Sequence, residues 1–365
     1  MKVVIVAGGT GGHIYPAIAI INKIKEKEKD TKFLYIGTTD RMEKDLITKL
    51  GIKYKGIPMT GLNRKNIFKN FSVLNMFRKA INEATETLKE FGPDIVIGAG
   101  GYITSPVLYA AHKLGIPTLI HEQNSIPGVS NKFIGKFADR ICVSLPGSMK
   151  MFPKEKTVYT GNPRSEEIIK VPIKKKSEIG MNDNEKLVVI VMGSLGSTTM
   201  TKKIKELIPG FNNKNYQVLI ITGNNYYKDY EEITIPNNVK IVPFMNDLIN
   251  LLKSTDLIIS RAGASTIAEI TAIGLPAILV PSPYVTNNHQ YKNAKELEDN
   301  GACIIITEED FSRDKIINEI DKLFDNKELY DKMSASSKKL GIVDSATRIY
   351  NEIKKITRWL RWKIL

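Results

Sequence analysis

The chain is short of the residues that staple or metallate proteins. Its two cysteines, Cys142 and Cys303, stand far apart in 365 residues. That excludes a disulfide framework and a clustered thiolate site, and it fits a reducing compartment. The four histidines, His13, His112, His121 and His289, fall at no metal-ligand spacing. No Asp-x-Asp triplet occurs to hold a divalent ion on a diphosphate, so neither a metal nor a cofactor is expected. No apolar run approaches the roughly 18–20 residues of a bilayer span. The first β-branched run begins at Val3, so no cleaved signal peptide is expected. No Gly-Lys-Ser/Thr follows a glycine turn, and no Gly-x-Ser-x-Gly elbow is present. A dinucleotide fingerprint is incomplete: after Gly9 and Gly11 the third glycine position is Ile14, and the second strand runs into Gly37-Thr38-Thr39 with no acid. A nicotinamide enzyme therefore fits poorly.

Charge is plentiful and lopsided. The formal net charge is +14; residues 1–160 hold 24 Lys and Arg against 13 Asp and Glu, a balance of +11, which leaves +3 for the rest. The N-terminal half is expected to meet something anionic: nucleic acid, a phosphorylated substrate or a membrane surface. The interleaved aromatics of an RNA-binding strand are absent, so nucleic acid is not expected as a partner.

Two glycine-rich turns follow β-branched runs at matching places in the two halves. One is Val3-Val4-Ile5-Val6-Ala7-Gly8-Gly9-Thr10-Gly11-Gly12-His13, and the other is Leu187 to Met192 followed by Gly193-Ser194-Leu195-Gly196-Ser197. A buried strand, then glycines, then a helix start is a phosphate grip, because the backbone approaches closely and the helix offers unbonded N–H groups. Strand-like runs at Val3–Val6, Phe33–Ile36, Ile95–Ile97, Thr118–Ile120 and Ile141–Val143 are followed by others at Leu187–Val191, Gln217–Ile221, Val239–Ile241, Leu257–Ile259, Ala277–Val280 and Cys303–Ile306. They alternate with helix-length polar segments. The expected class is α/β, two Rossmann-like domains with parallel sheets facing a cleft. The expected boundaries are 1–161 and 162–340, with a helix over 341–365.

Several residues stand where chemistry is done. His13 ends the first glycine turn and is the candidate general base; a helix-cap role is its plainer reading. Gly98 to Tyr102 forms a further glycine turn after a strand. His121-Glu122-Gln123-Asn124 sets four polar groups at a strand end, which is costly to bury unless they bind something; Glu122 is the reserve base. Ser260-Arg261-Ala262-Gly263-Ala264 reads as another strand, turn and helix start. Glu269 lies within the first two turns of that helix, either meeting sugar hydroxyls or only favouring the helix dipole. The loop around Asn287-Asn288-His289-Gln290 suits hydroxyl recognition. Between Arg64 and Lys79, five basic residues are mixed with seven apolar ones. Ile67, Phe71 and Leu74 share one helical face, with Phe68 and Phe77 nearby. The segment is either an ordinary core helix or a membrane-surface patch. Trp359 and Trp362, in a basic C-terminal stretch, are a second place for such a patch.

Taken in order, Gly8-Gly9-Thr10-Gly11-Gly12-His13-x-x-Pro16, Gly100-Gly101-Tyr102, His121-Glu122-Gln123-Asn124, Gly161-Asn162-Pro163-Arg164, Ser260-Arg261-Ala262-Gly263-Ala264 and His289-Gln290 resemble the MurG family of peptidoglycan N-acetylglucosaminyltransferases. The resemblance runs from residue 8 to about 290. It implies a GT-B fold and a metal-independent inverting transfer of N-acetylglucosamine from UDP-GlcNAc to lipid I, giving lipid II. It implies an acceptor- and membrane-facing N-terminal domain, a UDP-GlcNAc-binding C-terminal domain, and a last helix that packs back on the first domain. Donor contacts would fall on Thr10, Gly11, Gly12, Asn124, Arg164, Ser194, Met245, Ala264, Ser265, Thr266, Ile267, Ala268, Glu269 and Gln290. The acceptor and membrane side would hold Ile67, Phe68, Phe71, Leu74, Phe77, Gly100, Gly101 and Tyr102. The expected location is peripheral, on the cytoplasmic face of the membrane, with an anionic lipid surface and other cell-wall synthesis proteins as partners. One departure stands out: where the family reads Gly-Gly-Ser-Gln-Gly-Ala, this chain has Met192-Gly193-Ser194-Leu195-Gly196-Ser197, so any role of a glutamine side chain there is lost. A UDP-GlcNAc 2-epimerase or glycolipid glucosyltransferase of the same fold, and a membrane- or nucleic-acid-binding module, are the rival readings.

Overall fold

A computed structural model describes residues 1–61, 70–193 and 196–364, with backbone only for Asn70 and residues 358–364. In chain order the elements open with β1 (Lys2–Val6), α1 (Gly11–Lys27), β2 (Lys32–Gly37), α2 (Met42–Lys49), β3 (Lys53–Gly56) and α3 (Asn70–Phe91). There follow β4 (Ile95–Gly98), α4 (Thr104–Lys113), β5 (Thr118–Glu122), α5 (Val129–Ile134), β6 (Arg140–Val143), β7 (Thr157–Tyr159) and α6 (Arg164–Lys170). The chain continues with β8 (Lys186–Val191), α7 (Thr198–Leu207), β9 (Tyr216–Ile221), β10 (Val239–Val242), α8 (Leu248–Leu251), β11 (Leu257–Ser260) and α9 (Ala264–Ile273). It closes with β12 (Ala277–Leu279), α10 (His289–Glu298), β13 (Ile304–Ile305), α11 (Arg313–Asp325), α12 (Lys327–Leu340) and α13 (Ser345–Ile364).

The chain divides into two compact units. The first is Met1–Arg164 with Asp344–Leu365, and the second is Ser165–Val343. The first holds a seven-stranded sheet in the order β3-β2-β1-β4-β5-β6-β7, and the second a six-stranded sheet in the order β10-β9-β8-β11-β12-β13. Every described pairing is parallel, with Val3 opposite Phe33 and Ile95, and Val188 opposite Val218 and Leu257. The central strands are runs of Val, Ile and Leu because both faces are covered by helices, so no alternation with polar residues is needed. In the first unit, Ile20, Ile21 and Ile24 of α1 join Ile349, Ile353 and Ile356 of α13 on one face of the sheet. Ala80, Ala84 and Leu88 of α3 and Val107, Leu108 and Ala111 of α4 cover the other. In the second, Met200, Ile204 and Leu207 of α7 and Ile316, Ile317 and Ile320 of α11 form the larger core.

Each of the eleven expected strands is present. Two more, β3 and β7, lie at the sheet edges. In both sheets the strand order reverses beside the strand that opens the unit: β1 lies between β2 and β4, and β8 between β9 and β11. Ligands in open α/β sheets bind beyond the carboxyl ends of the strands at such a reversal. The glycine turns after β1, β4, β8 and β11 all lie there.

Candidate active site

Three helices start directly from glycine turns at the carboxyl ends of strands, after β1, β8 and β11. The N-cap residues of α1, α7 and α9 are Thr10, Ser197 and Gly263. None of them makes a side-chain cap hydrogen bond, and no acid stands in the three first turns. Two helices elsewhere do have capped starts: Ser312 accepts from Lys315 N–H and Asn326 from Leu329 N–H, with Asp314 and Glu328 in the first turns of α11 and α12. A helix start without cap or acid leaves its N–H groups and positive dipole end to an anion.

In the first unit the turns after β1 and β4 are docked backbone to backbone. Gly8 N–H donates to Gly100 O at 3.2 Å, and a Cβ on Gly101 would lie 2.4 Å from Gly8 O. Gly100 and Gly101 have φ of +104° and +92°, so glycine is required on both conformational and steric grounds. The His13 ring lies on Gly100, where a Cβ would come within 2.5 Å of Cδ2. His13 Nδ1 is 3.1 Å from Gly8 O. A carbonyl only accepts, so Nδ1 carries the ring proton and Nε2 the lone pair of the neutral imidazole. Tyr15 joins Gly11 to Arg164: a Cβ on Gly11 would be 3.1 Å from its ring, and the Arg164 guanidinium lies over the same ring at 5.4 Å. His13, Gly11, Gly12, Arg164, Gly100 and Gly101 are thus brought together, with Thr10 exposed at the start of α1. Tyr102 is exposed, its ring against Gly61.

The polar cluster after β5 is buried, and its first partners are the protein's own groups. His121 Nε2 lies 3.3 Å from Gly161 O and 3.1 Å from Ser144 Oγ, and Gln123 Nε2 lies 3.0 Å from His121 Nδ1 and donates to Ala99 O at 2.8 Å. Burial pushes the His121 pKa down to about 4. Glu122 accepts from Asn124 N–H at 2.9 Å, Gly128 N–H at 3.1 Å and Asn131 Nδ2 at 2.9 Å. Burial pushes its pKa up, while these bonds oppose the shift. Glu122 therefore shapes the loop that carries Asn124, which is half-buried.

In the second unit Arg261, directly after β11, is buried. It donates to Val280 O at 3.1 Å and to Ser197 Oγ at 3.0 Å, and it forms an ion pair of 2.5 Å with Glu308. Thr199 Oγ1 donates to the other oxygen of Glu308 at 2.9 Å. Ser197 has its hydroxyl engaged by Arg261 and leaves α7 uncapped. Along α9, Ala264, Ile267 and Ala268 are buried, whereas Ser265, Thr266 and Glu269 are half-buried. The first three can offer only backbone to a ligand. Ser265 Oγ is enclosed with no hydrogen-bond partner among the described residues, an arrangement that suits a ligand group. Gln290 Oε1 accepts Ser282 N–H at 2.8 Å, which turns its amide nitrogen into the end that can meet a ligand. His289 Nδ1 donates to Thr286 O at 2.8 Å, and burial lowers its pKa. Met245 is half-buried against the small core cluster that includes Leu187, Val189 and Leu219. Ser194 lies outside the described residues.

Helix α3 separates its two readings. Val73, Ala80, Ala84 and Leu88 are buried, whereas Phe71 is 74% and Leu74 52% exposed. Phe77 meets Phe133 edge-on at 6.2 Å, and Phe133 continues to Phe137 at 5.6 Å. The helix packs by one stripe and leaves a second apolar stripe outward. Ile67 and Phe68 lie outside the described residues, as do the side chains of Trp359 and Trp362. No helix among the described residues is long and apolar enough to cross a membrane.

Two carboxylates at the glycine turns escape a motif reading. Glu43 is fully buried under the first turn, and Glu308 lies under the start of α7. Each stands among like and unlike charges in the sequence, as solvated surface residues do.

Comparison with known proteins follows the two units. Residues 3–143 match the glycosyltransferase family 28 N-terminal domain, and residues 187–349 the glycosyltransferase family 28 C-terminal domain. The chain is 43% identical over 362 residues to the UDP-N-acetylglucosamine--N-acetylmuramyl-(pentapeptide) pyrophosphoryl-undecaprenol N-acetylglucosamine transferase of Bacillus pumilus, covering 98% of this chain and 100% of that one. The crystal structure of Acinetobacter baumannii MurG is similar with a TM-score of 0.77 at 27% identity, over 97% of this chain and 99% of that one. A UDP-GlcNAc 2-epimerase from Neisseria meningitidis, bound to UDP-GlcNAc, has a TM-score of 0.68 at 18% identity over 97% and 100% of the chains. That last likeness concerns the fold alone.

Proposed function

The chain belongs to glycosyltransferase family 28, with the paired α/β domains of the GT-B class, and we propose that it moves N-acetylglucosamine from UDP-GlcNAc to lipid I to form lipid II. The observation that carries this reading is the full-length identity to a transferase named for that reaction, since the fold is shared with epimerases. The second unit supplies the donor site: Glu269 for the ribose hydroxyls, Gln290 for the sugar hydroxyls, and the starts of α7 and α9 for the diphosphate, with backbone of Met245 and of Ala264 to Ala268 completing it. The first unit takes the acceptor, around Gly100, Gly101 and Tyr102. Thr10, Gly11, Gly12, Asn124 and Arg164 are assigned to the donor by the family resemblance alone.

The chemistry is one in-line displacement. The acceptor hydroxyl oxygen bonds to the anomeric carbon, the bond from that carbon to the phosphate oxygen breaks, and its electron pair leaves with UDP. The hydroxyl proton passes to Nε2 of His13. Uncapped helix starts and Arg164 meet the charge that develops on the diphosphate, and such preorganised donors lower the barrier without reorganising. Glu122, enclosed by its own loop, is the weaker candidate for the base. We assign Phe71, Leu74 and Phe77, with the basic charge of this half of the chain, to an anionic membrane surface at the cytoplasmic face.

Incubation with labelled UDP-GlcNAc and a short-chain lipid I analogue tests the reading. Release of UDP together with labelled lipid II is expected. Donor conversion without any acceptor would identify an epimerase instead. His13→Ala should lower turnover by about 10²–10⁴-fold, the worth of a positioned base, with UDP affinity kept; unchanged turnover would remove His13 from the role.

A further inference from the structure

The carboxylate of Glu43 comes from α2, a helix outside every glycine motif, and it is wholly enclosed. Its Oε2 accepts Gly9 N–H at 3.3 Å, and its Oε1 accepts the Thr38 N–H at 3.0 Å and the Thr38 hydroxyl at 2.7 Å. Those three bonds all come from donors, as an anionic carboxylate requires. The N–H of Gly9 and the carbonyl of Gly8 are the two ends of one peptide group. That carbonyl is the partner of His13 Nδ1 at 3.1 Å. Carboxylate, peptide and imidazole therefore stand in series.

We propose that Glu43 is a positioning residue for the transfer, holding His13 through the Gly8–Gly9 peptide so that Nδ1 keeps its proton and Nε2 presents the lone pair. The proposal rests on the reading of His13 as the base. Hydrogen bonds in series polarise one another. A carboxylate on the N–H end of the peptide makes its carbonyl a stronger acceptor, which fixes the ring and stabilises the imidazolium that forms when Nε2 takes a proton. The surroundings are built around this line of groups. A Cβ on Gly8 would lie 2.8 Å from Glu43 Oε1, so residue 8 leaves room for the carboxylate. Gly101 closes on the Gly8 carbonyl from the other side. Thr38, which gives Glu43 two donors, is itself held at its carbonyl by the Tyr54 hydroxyl. Tyr54 stacks on Tyr35 at 5.9 Å, and burial and the Glu43 charge push both phenols well above their ordinary range, so both stay neutral and Tyr54 keeps the proton it donates to Thr38.

The test uses the full-length enzyme, its Glu43→Gln variant, His13→Ala and the double variant. Glutamine keeps the size but lacks the charge, and the strength of the series depends on that charge. Turnover with UDP-GlcNAc and a short-chain lipid I analogue, KM for the donor, UDP affinity by calorimetry, and the ¹⁵N signals of the His13 ring are measured. Glu43→Gln is expected to lower kcat about 10- to 100-fold, the range of one hydrogen bond to a charged group. KM and UDP affinity should stay within about twofold, and the His13 ring should leave the Nδ1–H tautomer seen in the parent. In the His13→Ala background Glu43→Gln should cost nothing further. An inactive His13→Ala beside a fully active Glu43→Gln overturns the series and leaves the base in place. An active His13→Ala overturns the base reading and the proposal with it. A parent whose His13 carries its proton on Nε2 overturns the proposal without any variant, which covers a Glu43→Gln protein that fails to fold.

Discussion

Replacing Gly101 by alanine tests whether the turns after β1 and β4 act as one catalytic support. Gly101 has φ of +92°, which costs a residue with a Cβ about 1–3 kcal/mol. The added carbon would lie 2.4 Å from Gly8 O and 3.0 Å from Gly8 C and N. All three are backbone atoms, so no rotamer change relieves the overlap. Gly8 must retreat by about 1 Å to reach ordinary contact, and overpacking of this kind adds about 1–3 kcal/mol. The sum, roughly 2–6 kcal/mol, lowers Tm by roughly 2–4 °C per kcal/mol in a unit of this size. The catalytic consequence is the sharper one. Gly8 O holds His13, and a 1 Å misplacement of a reacting group costs on the order of 10²-fold in rate. Gly115→Ala is the control, since Gly115 has φ of +69° with nothing within 4 Å of its built Cβ; it should lose about 1–2 kcal/mol and no turnover. Thermal unfolding and kcat are measured on parent and both variants. A Gly101→Ala enzyme that melts early yet keeps kcat within about twofold of the parent would refute the reasoning, because the loops could then part without disturbing His13.

Three further outcomes are expected. Gln290→Ala should weaken UDP-GlcNAc by about 1–3 kcal/mol, the cost of an unpaired buried partner, and UDP far less; equal losses in calorimetry with the two ligands would argue against sugar recognition there. Phe71→Ser with Leu74→Ser should cut binding to anionic vesicles and turnover of a long-chain acceptor while a water-soluble acceptor is still used, because both side chains are outward; vesicle flotation that matches the parent would move the membrane surface elsewhere. His121 is held at a pKa of about 4 against about 6.5 in the open chain, so the unfolded state binds the extra proton. Its contribution is complete above pH 6.5 and is lost as pH falls toward 4, by about 3 kcal/mol in all. Urea midpoints measured across that range should fall less steeply in His121→Asn, and parallel curves would exclude His121 as the source.

The sheets were legible because their strands are runs of Val, Ile and Leu buried on both faces. The edge strands were not. Lys53-Tyr54-Lys55-Gly56 carries two lysines and pairs only with β2, and Thr157–Tyr159 is three residues long at the opposite edge. The glycine turns were legible for a chemical reason, since close backbone approach leaves few substitutes. The cluster at His121 to Asn124 was readable as costly to bury, but its partners were not: Gly161, Ser144, Gly128 and Asn131 stand up to 40 residues away along the chain. Glu43 was hidden more thoroughly. It sits in Asp40-Arg41-Met42-Glu43-Lys44-Asp45, a string that reads as a solvated helix face, and only the fold turns its side chain inward beneath Gly9.

Helix α13 belongs to the first unit although the whole second unit precedes it in the chain. The loop by which the chain leaves the first unit and the helix by which it re-enters are tied where they pass, by the Ser345 hydroxyl donating to Asn162 O at 2.6 Å. The second unit is thus an insertion within the first, and this orders folding. Residues 165–343 hold their own sheet and core, so they can close as soon as they are synthesised. The first unit has to wait: until α13 arrives, Ile20, Ile21 and Ile24 lack the isoleucines that cover them. An N-terminal fragment ending at Arg164 would leave an apolar groove open to solvent, and a bound chaperone or aggregation is its natural fate. The separate second unit needs no such partner.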